Sequence, residues 1–271
     1  MLDVVESFVA GKHGDERTCE DAVVCTAHHA AVIDGATTEA GHEIEGRAPG
    51  RFAMEIVAAA IRALPADVDA PSAIRDLSAA LARALGARGA RLGELASATV
   101  LIASAERREV WRVGNSTFAI DGTAHPQQWE LATVPARMRS AYLRALLRAD
   151  RTTPEEVMRD DPGQELIAPL LRIERVFRNA VDAGDLAYAA IDGSAVPAEL
   201  IEQAPVPPGA EVVFASDGYP LAAATLADAE AYLQRSLAED PLRIHAHPEV
   251  RGLRSGLVSY DDRAYLRFVV G

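Results

Sequence analysis

The chain has 271 residues, 49% hydrophobic and 25% charged, a balance that lets a soluble globular protein bury a core without disulfides. Its formal net charge is −13 and its cations are almost all arginine, Lys12 being the one lysine. That charge argues against general nucleic-acid binding, which needs clustered positive charge, and against docking on anionic lipid.

In chain order, residues 4–11 read as a strand and 12–20 as a polar loop. Residues 21–26 and 30–33 form two apolar strands of a hairpin turning at His28 and His29. The second strand stops at Asp34 and Gly35, and 36–49 is polar loop. Apolar positions at Phe52, Ile56, Ala59 and Ala60 predict a helix over 51–64, closed by Pro65, and a second helix follows over 71–89. Strands are expected at 98–103, 109–113 and 117–120, then a helix at 135–148 and a helical turn at 154–158. A strand at 186–191 turns at Asp192 and Gly193. Pro207, Pro208 and Gly209 precede a strand at 211–215, which ends before Asp217 and Gly218. A helix at 226–237 and a strand at 264–270, placed directly after Asp261 and Asp262, complete the order.

Strands come in runs and helices in pairs, which favours α+β with antiparallel sheets over a doubly wound parallel sheet. No repeat or composition break divides the chain, so 1–271 is read as one domain. No apolar run reaches the roughly 20 residues of a membrane span, and the first residues lack a signal pattern. A cytoplasmic protein with no membrane partner is expected. Cys19 and Cys25 are too few for a disulfide framework or a four-ligand zinc site, and are read as small, partly buried residues.

Acids at strand ends are the informative feature. Asp34, Asp217 and Asp261 each flank a strand, and Glu20 with Asp21 opens another. Such points, distant in sequence, can converge at one end of a sheet, where hard oxygen ligands suit Mg²⁺ or Mn²⁺. A glycine after Asp34 and after Asp217 permits tight loop geometry. An Asp-Gly pair after a strand is also an ordinary turn, and Asp121–Gly122 and Asp192–Gly193 are read as no more than that.

The blocks CEDAVV, VIDGAT, GRFAMEIVAAAI, SATVLIA, WRVGNSTFAIDG, VVFASDGYP and DDRAYLRFVV resemble, in order and spacing, the motifs of PP2C-type (PPM family) metal-dependent protein phosphatases. The resemblance runs from Arg17 to Val270. It implies a four-layer α-β-β-α sandwich of two antiparallel sheets flanked by helices, with two Mn²⁺ or Mg²⁺ ions at one end. It implies that Asp34 bridges the ions, Gly35 offers its carbonyl, Asp217 and Asp261 complete one metal's ligands, and Glu20 and Asp21 hold metal-bound waters. Arg17 would grip the substrate phosphate, and a water bridging the ions would attack phosphorus. The substrate would be a phosphoserine or phosphothreonine protein, or a small phosphorylated metabolite. The alternative is a pseudo-phosphatase that keeps the fold and binds a partner without catalysis.

The chain departs from that pattern in several places. Arg17 stands three residues before Glu20 where the family's arginine stands four before. Asn115 and Leu221 replace two acids that serve a third, weaker metal, so that site is expected to be absent. The loop ATTEAG leaves the general acid unassigned; His28 and His29 are candidates, although a solvated turn is the plainer reading. Trp111 and Trp129 are read as core or interface, His245 and His247 as surface residues on a possible strand. Arg137, Arg139, Arg144 and Arg148 are read as one solvated helix face.

Overall fold

The computed structural model describes residues 1–36, 43–86, 96–126 and 129–271. Among the described residues, ten strands make two antiparallel sheets. The first has the order β1 (Leu2–Ala10), β10 (Arg263–Val270), β9 (Glu211–Ala215), β6 (Thr117–Ile120), β7 (Thr123–His125). The second has the order β2 (Asp21–Cys25), β3 (His29–Gly35), β4 (Ala98–Ser104), β5 (Glu109–Val113), β8 (Glu202–Pro205).

Side-chain alternation explains the stacking. Along β4, Val100 and Ile102 face α1 (Pro49–Arg62) and α2 (Ala70–Gly86), packing with Phe52, Val57, Ile61, Ile74 and Leu77. The intervening Leu101 and Ala103 face the other sheet and meet Phe214, Leu266 and Phe268. Along β10, Tyr265 points outward instead, to Leu233 and Ala229 of α6 (Leu226–Glu239). Period-two strands with both faces covered read as continuous apolar runs, which is why these segments were plain in the sequence. The result is the expected α+β sandwich in four layers: α1 and α2, two sheets, and α6.

Between β7 and β8 lie α3 (Glu130–Arg148), α4 (Pro154–Arg159) and α5 (Pro162–Ile173). Helix α3 begins five residues before the proline taken as its start. A proline in the second turn removes only one helical hydrogen bond, and the helix tolerates it. Helix α5 was not predicted, because Gly163 and Pro169 look like breakers. Its start is nonetheless well capped: the Asp161 carboxylate accepts from Gly163 N–H at 2.9 Å and Gln164 N–H at 3.1 Å. The short strands β7 and β8 were also missed.

The strand expected at 186–191 does not form. Ile191 makes one isolated pairing with Ala98, and the Asn179 side-chain amide bonds Ala190 on both sides, at 3.0 and 3.1 Å. A side chain there takes the place of a neighbouring strand. No strand carries His245 and His247 either; His245 is exposed, and His247 Nε2 lies 2.7 Å from the Tyr232 hydroxyl. The expected end of the second helix at 87–89 and most of the ATTEAG loop, 37–41, lie outside the described residues.

Candidate active site

The β2–β3 hairpin sets Asp21 directly opposite Asp34. Its register is locked where Gly35 N–H donates to the Glu20 carbonyl at 3.0 Å. Gly35 also lies against the start of α1: a β-carbon there would sit 2.3 Å from the Gly50 carbonyl oxygen. Only glycine lets the helix close over the acidic end of the hairpin.

The second pair of acids arrives from the other sheet. Ser216 N–H donates to the Ala264 carbonyl at 3.0 Å, and Ala264 N–H returns to Ser216 Oγ at 2.8 Å. This clamp holds the turn at Asp217 beside that at Asp261 and Asp262. The Tyr260 hydroxyl donates to the Asp217 carbonyl at 2.6 Å, and Asn115 Nδ2 donates to Asp217 Oδ2 at 2.9 Å. Asp262 joins the two halves, its carboxylate accepting from Glu20 N–H at 3.1 Å and Lys12 N–H at 2.8 Å.

Asp34, Gly35, Asn115, Asp217, Arg251 and Asp261 line one cavity of about 220 Å³. Trp129, Leu131, Leu171 and Tyr188, from the region between β7 and β8, complete its wall. Trp129 and Tyr188 are in ring contact, with centroids 5.1 Å apart.

Burial pushes the Asp34 carboxyl well above the ordinary range, and the charges of Asp217, Asp21 and Asp261 add to it. Asp217 is raised by burial and then by Asp261, and the Asp34 and Asp217 side chains are close enough to share a hydrogen bond. Asp21 is likewise raised, first by burial, and its Oδ2 is buried with no hydrogen-bond partner among the described residues. For Asp261 burial acts in the same sense, but Arg251 and Lys12 overcome it and hold this carboxyl below the usual range. The Lys12 ammonium lies 3.2 Å from Asp261, 3.2 Å from Asp262 and 3.7 Å from Glu20; Arg251 Nη1 lies 3.4 Å from Asp261 Oδ2.

Six carboxylates (Glu20, Asp21, Asp34, Asp217, Asp261, Asp262) thus gather around two cations. Fully ionised, the cluster would carry four uncompensated negative charges, the sum of two divalent ions. An all-oxygen donor set fits Mg²⁺ or Mn²⁺ rather than a soft metal. Among the described residues, no three His, Cys, Asp or Glu side chains are drawn into a finished metal cage. The reason is visible: both Asp261 oxygens face cations of the chain itself, and Asp34 and Asp217 face each other.

Most sequence candidates meet here, and some do not. Asp34, Gly35, Asp217 and Asp261 line the cavity; Glu20 and Asp21 are buried beside it. Arg17 does not line it. Its side chain is 89% exposed and is committed to the Asp15 carboxylate, with Nη2–Oδ2 at 2.9 Å. The local cause is the 3₁₀ turn at Glu16–Thr18, capped by Asp15, which aims Arg17 at its own cap. His28 and His29 are excluded as general acids by position. They sit at the far end of the hairpin, five strand residues or about 17 Å from Asp34. His29 is buried in tilted contact with Trp111, and His28 pairs with Glu106 at 3.4 Å.

Trp111 is core, as expected, whereas Trp129 belongs to the cavity wall. Arg139 leaves the expected solvated face: it is fully buried and grips Asp161 Oδ2 at 2.6 and 2.9 Å. Asp192 is buried in a network with Ser194 and Asn179, a structural turn. Lys12, Arg251, Asp262 and Tyr188 were not predicted. The sequence held a hint for Lys12, as its single lysine in the loop before Glu20, and for Asp262, as the second acid of the pair before the last strand.

No protein-family model and no curated protein sequence matches the chain. Solved structures do. The Mycobacterium tuberculosis serine/threonine phosphatase PstP/Ppp aligns over 99% of this chain and 98% of its own, at 19% identity and TM-score 0.52. A PstP catalytic domain in complex with two manganese ions aligns over the whole of both chains at 18% identity and TM-score 0.51. The serine/threonine phosphatase Stp1 from Staphylococcus aureus aligns over 100% of this chain and 96% of its own, at 12% identity and TM-score 0.50. With its two five-stranded antiparallel sheets and flanking helices, the chain has the fold of the PP2C-type serine/threonine phosphatases.

Proposed function

We propose that residues 1–271 form one domain that hydrolyses phosphomonoesters with the help of two Mn²⁺ or Mg²⁺ ions, acting on phosphoserine or phosphothreonine proteins. The observation that carries this reading is the meeting of the buried Asp21 with the half-buried, cavity-lining Asp34, Asp217 and Asp261 in a fold otherwise met in metal-dependent phosphatases. Asp34 and Asp217 with the Gly35 backbone would hold the ions, Asp261 would share itself between an ion and Arg251, and Glu20 and Asp21 would support them from behind. Divalent ions bound there supply Lewis acidity toward phosphoryl oxygens and a water ionised near neutral pH.

The chain's own groups do the rest. Carboxyls raised by burial and by one another would give up their protons to solvent as divalent ions took their place, so binding would leave the cluster close to neutral. Asn115 orients Asp217 through its amide hydrogen; Lys12, with Arg251, favours the ionised form of Asp261, and it also holds the Asp262 carboxylate in place. No nucleophilic side chain is needed: burial raises the Cys19 thiol to about 12, which makes it inert.

A second reading has its own observation. Lys12 and Arg251 already neutralise Asp261, as they would in a chain that keeps the fold, binds a partner and performs no catalysis. One assay separates the two: release of p-nitrophenol from p-nitrophenyl phosphate, with and without Mn²⁺. Turnover that requires Mn²⁺ and disappears with EDTA supports the phosphatase. A well-folded chain that binds Mn²⁺ and shows no turnover supports the binding module.

A further inference from the structure

The cavity that holds the acids needs a group for the phosphate, and Arg17 is not among its lining residues and is paired with Asp15. Three other cations stand near. Lys12 is spent on Asp261, Asp262 and Glu20, with its side chain only 12% exposed. Arg178 lines the cavity but directs its guanidinium to the Tyr188 hydroxyl at 3.1 Å and to Asp192 at 3.5 Å. Arg251 is the remaining one.

Arg251 lines the same cavity as Asp34, Asp217 and Asp261, and its side chain is 29% exposed. Its one ion pair, to Asp261 Oδ2 at 3.4 Å, fixes the direction of the guanidinium without consuming it. No hydrogen bond from its five N–H groups reaches the described residues. A planar fork with open donors, beside a cluster built for divalent cations, matches two oxygens of a phosphate.

The segment that presents it is pinned from behind. Leu253 N–H donates to the Pro241 carbonyl at 2.8 Å and Glu249 N–H to the Arg243 carbonyl at 3.1 Å. The buried Arg139 guanidinium donates to the carbonyls of Leu242 at 2.9 Å and Glu249 at 3.1 Å, gripping both limbs. A β-carbon at Gly252 would lie 2.6 Å from the Leu242 carbonyl oxygen, so the two limbs touch backbone to backbone. Arg251 is therefore held in place before any ligand arrives, which lowers the ordering cost of binding.

We propose that Arg251 is the residue by which this chain grips the phosphate of a phosphomonoester, in the role that the family resemblance gives to Arg17. The inference rests on the phosphatase reading for its substrate, but its test does not need turnover. Inorganic phosphate is titrated by calorimetry into the full chain equilibrated with Mn²⁺, as wild type, R251A, R251K and R17A, with Mn²⁺ affinity and melting temperature measured alongside.

R251A is expected to weaken phosphate binding by at least about tenfold, as loss of a charge-assisted fork does. R251K, which keeps the charge and lacks the fork, falls between, and R17A stays within about twofold. Should R251A fail to fold, R251K decides. The proposal is overturned if wild type takes up no phosphate, or if R17A loses as much as R251A. It is also overturned if R251A binds phosphate as wild type does while holding Mn²⁺ more tightly, the mark of a mere counter-ion. Arg251-dependent phosphate binding in a chain without turnover removes the hydrolysis and keeps the clamp; turnover in R251A at unchanged KM removes the clamp and keeps the hydrolysis.

Discussion

Gly218 and the carbonyl oxygen of Asp262 are so close that a β-carbon on the glycine would lie 1.9 Å from that oxygen. The turn carrying Asp217 is thus seated backbone to backbone on the turn carrying Asp261. G218A must push the turns apart, and a cost of about 2–3 kcal/mol in denaturant unfolding is expected, with loss of Mn²⁺ affinity. G122A is the control: nothing lies within 4 Å of its β-carbon, and only its φ of +76° resists, at about 1 kcal/mol.

Two Asp-Gly turns differ in what their aspartates do. Asp217 is half-buried among carboxylates at the cavity, while Asp121 accepts one backbone N–H, from Glu211 at 2.9 Å, at a hairpin tip. D217N should lower Mn²⁺-dependent p-nitrophenyl phosphate turnover by more than the ~10–100-fold that loss of an outer-shell partner costs. D121N should change it less than about twofold, since asparagine also tolerates the tip's positive φ. Equal losses would show that the acid cluster is not where the chemistry occurs.

Asn115 donates to Asp217, and no carboxylate stands at Leu221. Calorimetric titration should therefore count two Mn²⁺ ions and no third as the concentration rises, because an amide alone does not strip water from a hard cation. N115D with L221D should add one weak site. A third ion in the wild type would mean that other acids serve it.

The Arg139–Asp161 pair is fully enclosed, so removing one member strands a buried charge. R139M is expected to cost about 3–5 kcal/mol in urea unfolding. Its second effect is the informative one: the segment 249–253 loses its rear support, so phosphate affinity should fall even at temperatures where the variant is folded. Unchanged phosphate affinity would uncouple Arg139 from Arg251.

Acid should destabilise the protein partly through Glu230. Burial tends to raise this carboxyl, but the Arg263 fork at 2.7 and 3.1 Å and the Tyr219 hydroxyl overcome it and leave it below its ordinary 4.5. A carboxyl lowered on folding stabilises above its unfolded pKa and loses that contribution as pH falls through its folded value. Unfolding free energy should thus drop as pH falls below about 4.5, and less steeply in E230Q. Parallel pH profiles for the two proteins would refute this account.

The sheets were legible because period-two burial on both faces writes itself as apolar runs, as at β4 and β10. The acids were legible because each stands at the end of such a run. Lys12 and Arg251 were not, since a cation's role depends on which loop folds back over the strand ends, and neither loop has a periodicity. Arg17 stands outside the cavity lining for a similar reason: the resemblance that singles it out says nothing of Asp15, which captures it. Arg139 looked solvated because arginine usually is, and its burial follows from Asp161, 22 residues away. The Asn179 amide that stands in for a strand partner leaves no trace in the hydropathy of residues 186–191.

Strand β10 lies between β1 and β9, and Asp261 and Asp262 immediately precede it. Until residues 261–270 have been synthesised, β1 has no neighbour in its sheet, and the acid cluster lacks the two carboxylates nearest Lys12, those of Asp261 and Asp262. The site therefore cannot be acquired piecemeal: β10, on joining β1 to β9, closes this part of the sheet and completes the cluster in one event. Pairing residues some 260 positions apart in sequence is slow, and β1 and β9 wait meanwhile with open edges that invite association with other chains. The same arrangement means that a chain cut short before residue 261 lacks Asp261, Asp262 and the strand that pairs with both β1 and β9.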